Sequence, residues 1–205
     1  APGRLGAINS DDLIVDLNGL DGAKDLNSLI SGGPKAWEEC VARAPASDVI
    51  GSLEDVKLLA PAARLARNIF CVGKNYVEHA AEFQGSGYDD ANKAGQDIPE
   101  HPIFFTKADS TIIGPGDPIP ASTDPLESTD YEGELTLVIG KSGYKIDRNQ
   151  TMEHIFGYTI INDVTSRGLQ KKHNQWFLGK NLDGFCPMGP TVVTADEIDD
   201  VSRLE

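Results

Sequence analysis

The stretch Asp130-Tyr131-Glu132-Gly133-Glu134-Leu135-Thr136-Leu137-Val138-Ile139-Gly140 constrains this chain more than any other. Read as a β-strand with its side-chain period of two, it places Glu132, Glu134, Thr136 and Val138 on one face. Leu135, Leu137 and Ile139 fall on the other, which is the expected core face. Two carboxylates two residues apart on one strand face lie about 6.5–7 Å apart at Cα, from a rise of about 3.3 Å per residue. Such a pair repels. It calls for a cation between the two groups, a proton on one of them, or an edge strand with both in water. Oxygen-only ligands suit a hard divalent ion such as Mg²⁺, Mn²⁺ or Ca²⁺ rather than zinc.

Composition narrows the partners that such a site could serve. The 205 residues suffice for one sizeable domain, or one with a small appendage, and 40% apolar with 24% charged residues is ordinary for a globular chain. Eighteen basic against 32 acidic residues leave a net charge of −14, which argues against nucleic acid and anionic membranes as partners. Any anionic substrate then needs a local device, a metal or placed Lys and Arg. Cys40, Cys71 and Cys186 are odd in number and widely spaced, so they form neither a disulfide framework nor a zinc motif, and a reducing, cytoplasmic setting is expected. No apolar run approaches the roughly 18–20 residues of a membrane span, and the first residues lack a signal-peptide pattern.

In chain order, residues 1–62 read as a small N-terminal αβ domain and 63–205 as a larger core. Leu5–Ile8 and Leu13–Leu17 flank the turn-rich Asn9-Ser10-Asp11-Asp12, a hairpin pattern. Asp25–Ile30 and Lys35–Ala44 read as short helices, with Pro34 at a helix start. In the core, Asn68–Gly73 is a compact apolar strand. Lys74–Phe83 reads as a helix capped by Asn75 with Glu78 three residues on, leaving His79 and Glu82 on one face. A carboxylate beside an imidazole fixes its tautomer and raises its basicity, although the same spacing also suits a surface ion pair. The polar, Gly-rich Gln84–Pro99 reads as a long loop, a candidate lid. His101–Lys107 and Ile155–Val164 are further strands, the second carrying Thr159, Ile161 and Asp163 on one face. Ser166, Arg167, Gln170 and Lys180 follow, and Cys186–Pro190 reads as a rigid turn before Thr191–Val193. Many strands with few helices predict an α+β fold, predominantly β.

Taken together these segments resemble the fumarylacetoacetate hydrolase family over roughly residues 60–195. The carriers are Asn75-Tyr76 with His79-Ala80 and Glu82; Pro102 with Phe104-Phe105 and Lys107; Gly114-Pro115-Gly116-Asp117; and Asp130-Tyr131-Glu132-Gly133-Glu134-Leu135. Asn162-Asp163-Val164-Thr165-Ser166-Arg167 with Gln170, Gly179-Lys180 and Pro187-Met188-Gly189-Pro190 complete the series. The resemblance implies a mixed β-roll or barrel-like core, commonly dimeric, with Mg²⁺ or Mn²⁺ and sometimes Ca²⁺. It implies Glu132, Glu134 and Asp163 as metal ligands and His79 with Glu82 as the dyad that activates water. It also implies Arg167, Gln170 and Lys180 as residues that hold substrate or stabilise developing negative charge. There are departures. Gly168 stands where the family usually has aspartate, which bears on the bracing of Arg167, and Asn181 and Gly184 replace a serine and a threonine. Family members also continue with further strands, so the core here is expected to lack its C-terminal part.

The reaction that the resemblance implies first is metal-dependent C–C hydrolysis of a 2,4-dioxo acid. His79 would take a proton from water that attacks the 4-carbonyl, and a pyruvate-type enolate would leave. The same enolate without attacking water gives an oxaloacetate-type decarboxylase or a hydroxymuconate-like isomerase. A metal-binding or oligomerisation module without turnover is the alternative from another class. An EF-hand loop around Asp124–Glu134 is excluded, because glycine at the sixth and glutamate at the twelfth position are absent.

Overall fold

The computed structural model describes residues 3–20, 23–62, 64–76, 100–173 and 175–204. In chain order its principal elements are β1 Gly6–Ile8, β2 Leu13–Asp16, helix α1 Leu26–Arg43, β3 Val49–Ser52, β4 Ile69–Gly73, β5 Ile103–Lys107 and β6 Ile112–Ile113. Then come β7 Thr129–Asp130, β8 Gly133–Ile139, β9 Ile155–Asn162, β10 Thr165–Ser166, short helices α2 Arg167–Lys172 and α3 Phe177–Lys180, and β11 Cys186–Thr194. The fold is α+β and predominantly β. The larger sheet has the strand order β6-β11-β9-β8, and the smaller ones are β1-β2-β3, β4-β5 and β7-β10.

The chain divides into two compact units, one formed by Ala1–Ala63, Leu135–Ile160 and Met188–Glu205, the other by Arg64–Glu134 and Ile161–Pro187. In the first, the hairpin forms as its turn residues predict, with Ala7 opposite Val15 and Ile8 opposite Ile14. Asp25 caps α1, accepting from the Ser28 amide at 2.7 Å and its hydroxyl at 2.6 Å. The helix is broken at Gly33 (φ 68°, ψ −164°) and restarts at Pro34, so the two short helices expected there stand end to end. Val15, Leu17, Ala23, Leu29 and Cys40 form the buried core, with Leu5, Trp37 and Phe156 packed against it. Trp37 and Phe156 meet edge to face at 5.6 Å.

In the second unit β4 and β5 pair antiparallel, Ile69 opposite Lys107 and Cys71 opposite Phe105. Paired residues share a sheet face, so Cys71, Phe105 and Lys107 point one way and Phe70 and Phe104 the other. Phe70 and Phe104 are exposed, while Cys71 and Lys107 are buried. β7 and β10 pair Asp130 with Thr165 and Thr129 with Ser166.

Two expectations are overturned. Leu135, Leu137 and Ile139, expected to face the core, are 37%, 50% and 61% exposed, whereas Glu134, Thr136 and Val138 are half-buried. Alternation determines which residues share a face but not which face is covered. Cys186–Pro190 does not turn but begins the nine-residue β11, pairing parallel with β6 at Cys186–Ile112 and Pro187–Ile113. Proline's fixed φ and its demand for an extended residue before it are both compatible with a strand, provided no ladder donor is needed there.

Candidate active site

The site is built on two tight crossings of the chain in the second unit. Asp124, almost fully buried, accepts from the amides of Leu126 at 3.0 Å and Ser128 at 2.8 Å and from the Ser166 hydroxyl at 2.7 Å. Burial pushes its carboxyl up, but the hydrogen bonds from Leu126, Ser166 and Ser128 outweigh this and hold it below the ordinary value. Beyond this anchor, the Glu132 amide donates to Asn162 Oδ1 at 2.9 Å and the Asp163 amide donates to the Glu132 carbonyl at 2.7 Å. Glu132, in the short gap between β7 and β8, is thereby locked beside Asp163, which directly follows β9.

Ser166 caps α2 by accepting from the Leu169 amide, and the helix presents Arg167 and Gln170 on one side, as i and i+3 must be. Both are buried, and Arg167 Nη1 donates to Gln170 Oε1 at 3.1 Å. Arg167 also binds Asp130 through Nε at 2.9 Å and Nη2 at 2.7 Å, and Glu132 Oε1 through Nη2 at 2.6 Å. Gly168 fits against Leu126 and Ser128, where a Cβ would lie 2.8 Å from Leu126 Cβ and 2.9 Å from Ser128 Oγ. An aspartate has no room there, and Asp130 braces Arg167 instead. Asn181 is similarly accounted for. It accepts from the Ala108 amide at 2.6 Å and donates to the Thr106 carbonyl at 2.9 Å, tying the end of α3 to β5.

Glu132, Glu134 and Asp163 converge, each offering a carboxylate oxygen within 4.8 Å of the others. The Lys180 ammonium, 2% exposed, donates to Glu132 Oε2 at 2.7 Å and Asp163 Oδ2 at 2.6 Å. It also lies 4.9 Å from the centroid of the Phe105 ring, whose other neighbour is Trp176, edge on at 5.4 Å. Lys107 Nζ is 2.8 Å from Asp163 Oδ1, close enough for an ion pair. The same ammonium donates to the Val164 and Lys180 carbonyls, and apart from this ion pair Asp163 Oδ1 has no hydrogen-bond partner. Among the described residues, Glu134 makes no ion pair. Burial, then the charges of Asp163 and Glu132, push its carboxyl up to about 7, with Lys180 and Lys107 opposing.

An all-oxygen set in which burial and two neighbouring carboxylates keep Glu134 from ionising fits a hard divalent cation. A cleft beside the cluster is lined by Gly73, Lys74, Phe105, Arg167, Gln170 and Trp176. Glu132, Glu134 and Lys180 line the same cleft, so cations, carboxylates and an aromatic wall meet there.

Residues 68–205 match the family described as fumarylacetoacetate (FAA) hydrolase, C-terminal. The chain belongs to the fumarylacetoacetate hydrolase family. An oxaloacetate tautomerase of Bacillus subtilis (strain 168) is 47% identical over 154 residues, 75% of this chain and 48% of that protein. A fumarylacetoacetate hydrolase from psychrophilic Exiguobacterium antarcticum superposes with a TM-score of 0.72 at 40% identity, covering 96% of this chain and 64% of that one. A maleylpyruvate hydrolase from Sphingobium sp. SYK-6, solved with manganese(II) and pyruvate, superposes with a TM-score of 0.71 at 26% identity, covering 98% and 67%. The chain thus spans about half the length of that curated relative.

Of the residues that the family resemblance singles out, the structure brings six together: Glu132, Glu134, Asp163, Arg167, Gln170 and Lys180. His79, Glu82, the helix expected at 74–83 beyond Tyr76 and the candidate lid 84–99 lie outside the described residues. Sequence reasoning passed over Lys107, Asp130 and the Phe105–Trp176 wall as parts of the site. The signal for Lys107 was available. Ile103, Phe105 and Lys107 alternate along one strand, and a lysine on the face of two apolar residues points inward. Among the described residues no helix is long and apolar enough to cross a membrane.

Proposed function

We propose that this chain carries the enolising centre of a metal-dependent 2-oxo acid enzyme, and that its leading reaction is keto–enol tautomerisation of an oxaloacetate-type acid. The supporting observation is the placement of the Lys180 ammonium, buried and within 2.7 Å of carboxylates from two different chain segments. A buried ammonium at that place is ready to meet negative charge as it develops on a substrate oxygen, which is where transition-state stabilisation is largest.

In this reading Glu132, Glu134 and Asp163 would hold a divalent ion of the Mg²⁺ or Mn²⁺ class, which would supply Lewis acidity toward a 2-oxo acid. Arg167, fixed by Asp130 and paired with Gln170, orients the substrate carboxylate. A base removes a proton from C3, and the electron pair moves to the 2-oxo oxygen, where Lys180 balances the charge. Returning the proton to that oxygen gives the enol, and returning it to C3 regenerates the ketone. His79 oriented by Glu82 is the proposed base. The oxaloacetate tautomerase at 47% identity supports this choice of reaction.

A second reading uses the same enolate as leaving group. With water delivered by His79 and Glu82, a 2,4-dioxo acid would be cleaved between C3 and C4, and the structural likeness to two hydrolases supports it. Both readings take a small-molecule acid as substrate, and a homodimer is the proposed assembly. The test offers oxaloacetate and an acylpyruvate in parallel, with Mg²⁺ or Mn²⁺. Faster decay of the enol absorbance without pyruvate release is expected. Carboxylic acid plus pyruvate from the acylpyruvate would transfer the assignment to the hydrolase, and CO₂ plus pyruvate from oxaloacetate to a decarboxylase. Metal binding without turnover of any of these acids would leave a metal-binding module and end the enzymatic reading.

A further inference from the structure

Lys107 is a buried charge without a part in the reaction just described. Its side chain is fully buried at the end of β5. The ammonium lies 2.8 Å from Asp163 Oδ1, donates to the Val164 carbonyl at 3.1 Å, and donates to the Lys180 carbonyl. A buried ammonium persists only where opposite charge and acceptors surround it. Here all three come from the site itself: a carboxylate of the cluster, the residue after it, and the main chain of the lysine that closes it.

These contacts have two consequences. Paired with Oδ1 at 2.8 Å, Lys107 offsets part of the negative charge of Asp163. A divalent ion approaching Asp163 therefore meets a carboxylate that is already partly neutralised. Meanwhile the bond to the Lys180 carbonyl fixes the backbone from which the second ammonium reaches Glu132 and Asp163. Asn181, the next residue, is bonded to the carbonyl of Thr106 and the amide of Ala108 on either side of Lys107. The end of β5 therefore holds Lys180 from both sides of the peptide.

We propose that Lys107 is a positioning residue of this centre, moderating how strongly Asp163 attracts a divalent ion and setting where the Lys180 ammonium stands. This rests on the enolising-site reading above. Removing the Lys107 charge leaves Asp163 neutralised by Lys180 alone, presents more of its charge to the ion and strengthens metal binding. The same change frees the Lys180 backbone and lowers turnover. A lysine that only filled space would alter neither in folded protein.

The experiment compares wild type, Lys107→Met and Lys107→Gln by two readouts: free Mn²⁺ followed by electron paramagnetic resonance during titration, and oxaloacetate tautomerisation at saturating Mn²⁺. Both variants should bind Mn²⁺ about tenfold more tightly, as loss of one nearby like charge demands. Turnover of Lys107→Met should fall about tenfold or more from misplacement of Lys180, with KM little changed. If Lys107→Met gives no folded protein, Lys107→Gln, which keeps a donor for the two carbonyls, carries the Mn²⁺ comparison. Folded variants with wild-type Mn²⁺ affinity overturn the role of Lys107 and leave the enolising site standing. A wild-type protein that neither binds Mn²⁺ nor turns over a 2-oxo acid removes both.

Discussion

Two buried regions of this molecule are held together by opposite means. The cluster around Val15, Leu17, Leu29 and Cys40 is dry and apolar. The cluster around Lys107, Asp163 and Lys180 is equally inaccessible, with exposures of 0%, 0% and 2%, yet almost wholly ionic. In the first, each side chain gains by leaving water and no single partner is indispensable. In the second, every group pays a desolvation cost that only its particular partners offset, so the cluster holds together as a whole or not at all. Apolar burial therefore stabilises, while the ionic cluster fixes opposite charges at defined positions.

The sharpest way to break the comparison is Lys180→Met. Turnover should fall by about 10²–10³, the usual cost of losing a preorganised donor to a developing oxyanion. The check is kcat for oxaloacetate tautomerisation at saturating Mn²⁺. Metal-free protein should also lose stability, since Glu132 and Asp163 keep their burial and lose a shared cation. Added Mn²⁺ should restore much of that loss in a thermal melt.

Leu29→Ala probes the dry region. Leu29 is 3% exposed within the core, and its truncation should cost about 2–5 kcal/mol by urea denaturation. Turnover per folded molecule should stay at the wild-type level. A change in Mn²⁺ affinity here would erase the distinction between a stabilising region and a functional one.

The smallest effect is a pH dependence. Glu134 carries a carboxyl near 7 in the folded protein against an ordinary value of 4.5. Between those values the native state keeps a proton that the unfolded chain has released. The unfolded state then binds fewer protons, so stability falls as pH rises through this window. Bound Mn²⁺ favours ionised Glu134, so it should abolish the fall and release a proton on binding near pH 6. Melting temperatures across the window, with and without Mn²⁺, provide the check. A metal-free melting point that rises from pH 5 to 7 contradicts the environment assigned to Glu134.

Much of the site was legible before any coordinates, because the chemistry of its residues is local. Two glutamates with one residue between them share a strand face by spacing alone, whereas Asp163, Arg167 and Gln170 are singled out through the family resemblance. The α1 break at Gly33 and Pro34, and the β1–β2 hairpin, were equally readable from backbone preferences. Other features were not. The exposure of Leu135, Leu137 and Ile139 depends on what covers a strand, which no alternation encodes. The strand at Cys186–Thr194 depends on β6, some seventy residues away, offering a pairing edge to a proline-rich segment.

Gly168 illustrates the division most clearly. It departs from the family pattern, which places a carboxylate directly after the arginine. In the folded chain Leu126 and Ser128 occupy the space an aspartate needs, and Asp130 supplies the brace from another strand. Sequence by itself determined the mostly β character and the pairing of Glu132 with Glu134, and the family resemblance added Asp163 and the other residue types of the centre. Only tertiary structure decided which side-chain cations pair with those carboxylates. Lys107, Arg167 and Lys180 reach the carboxylates from β5, α2 and α3, and electrostatic pairing depends on distance in space, which chain spacing controls only within a single element.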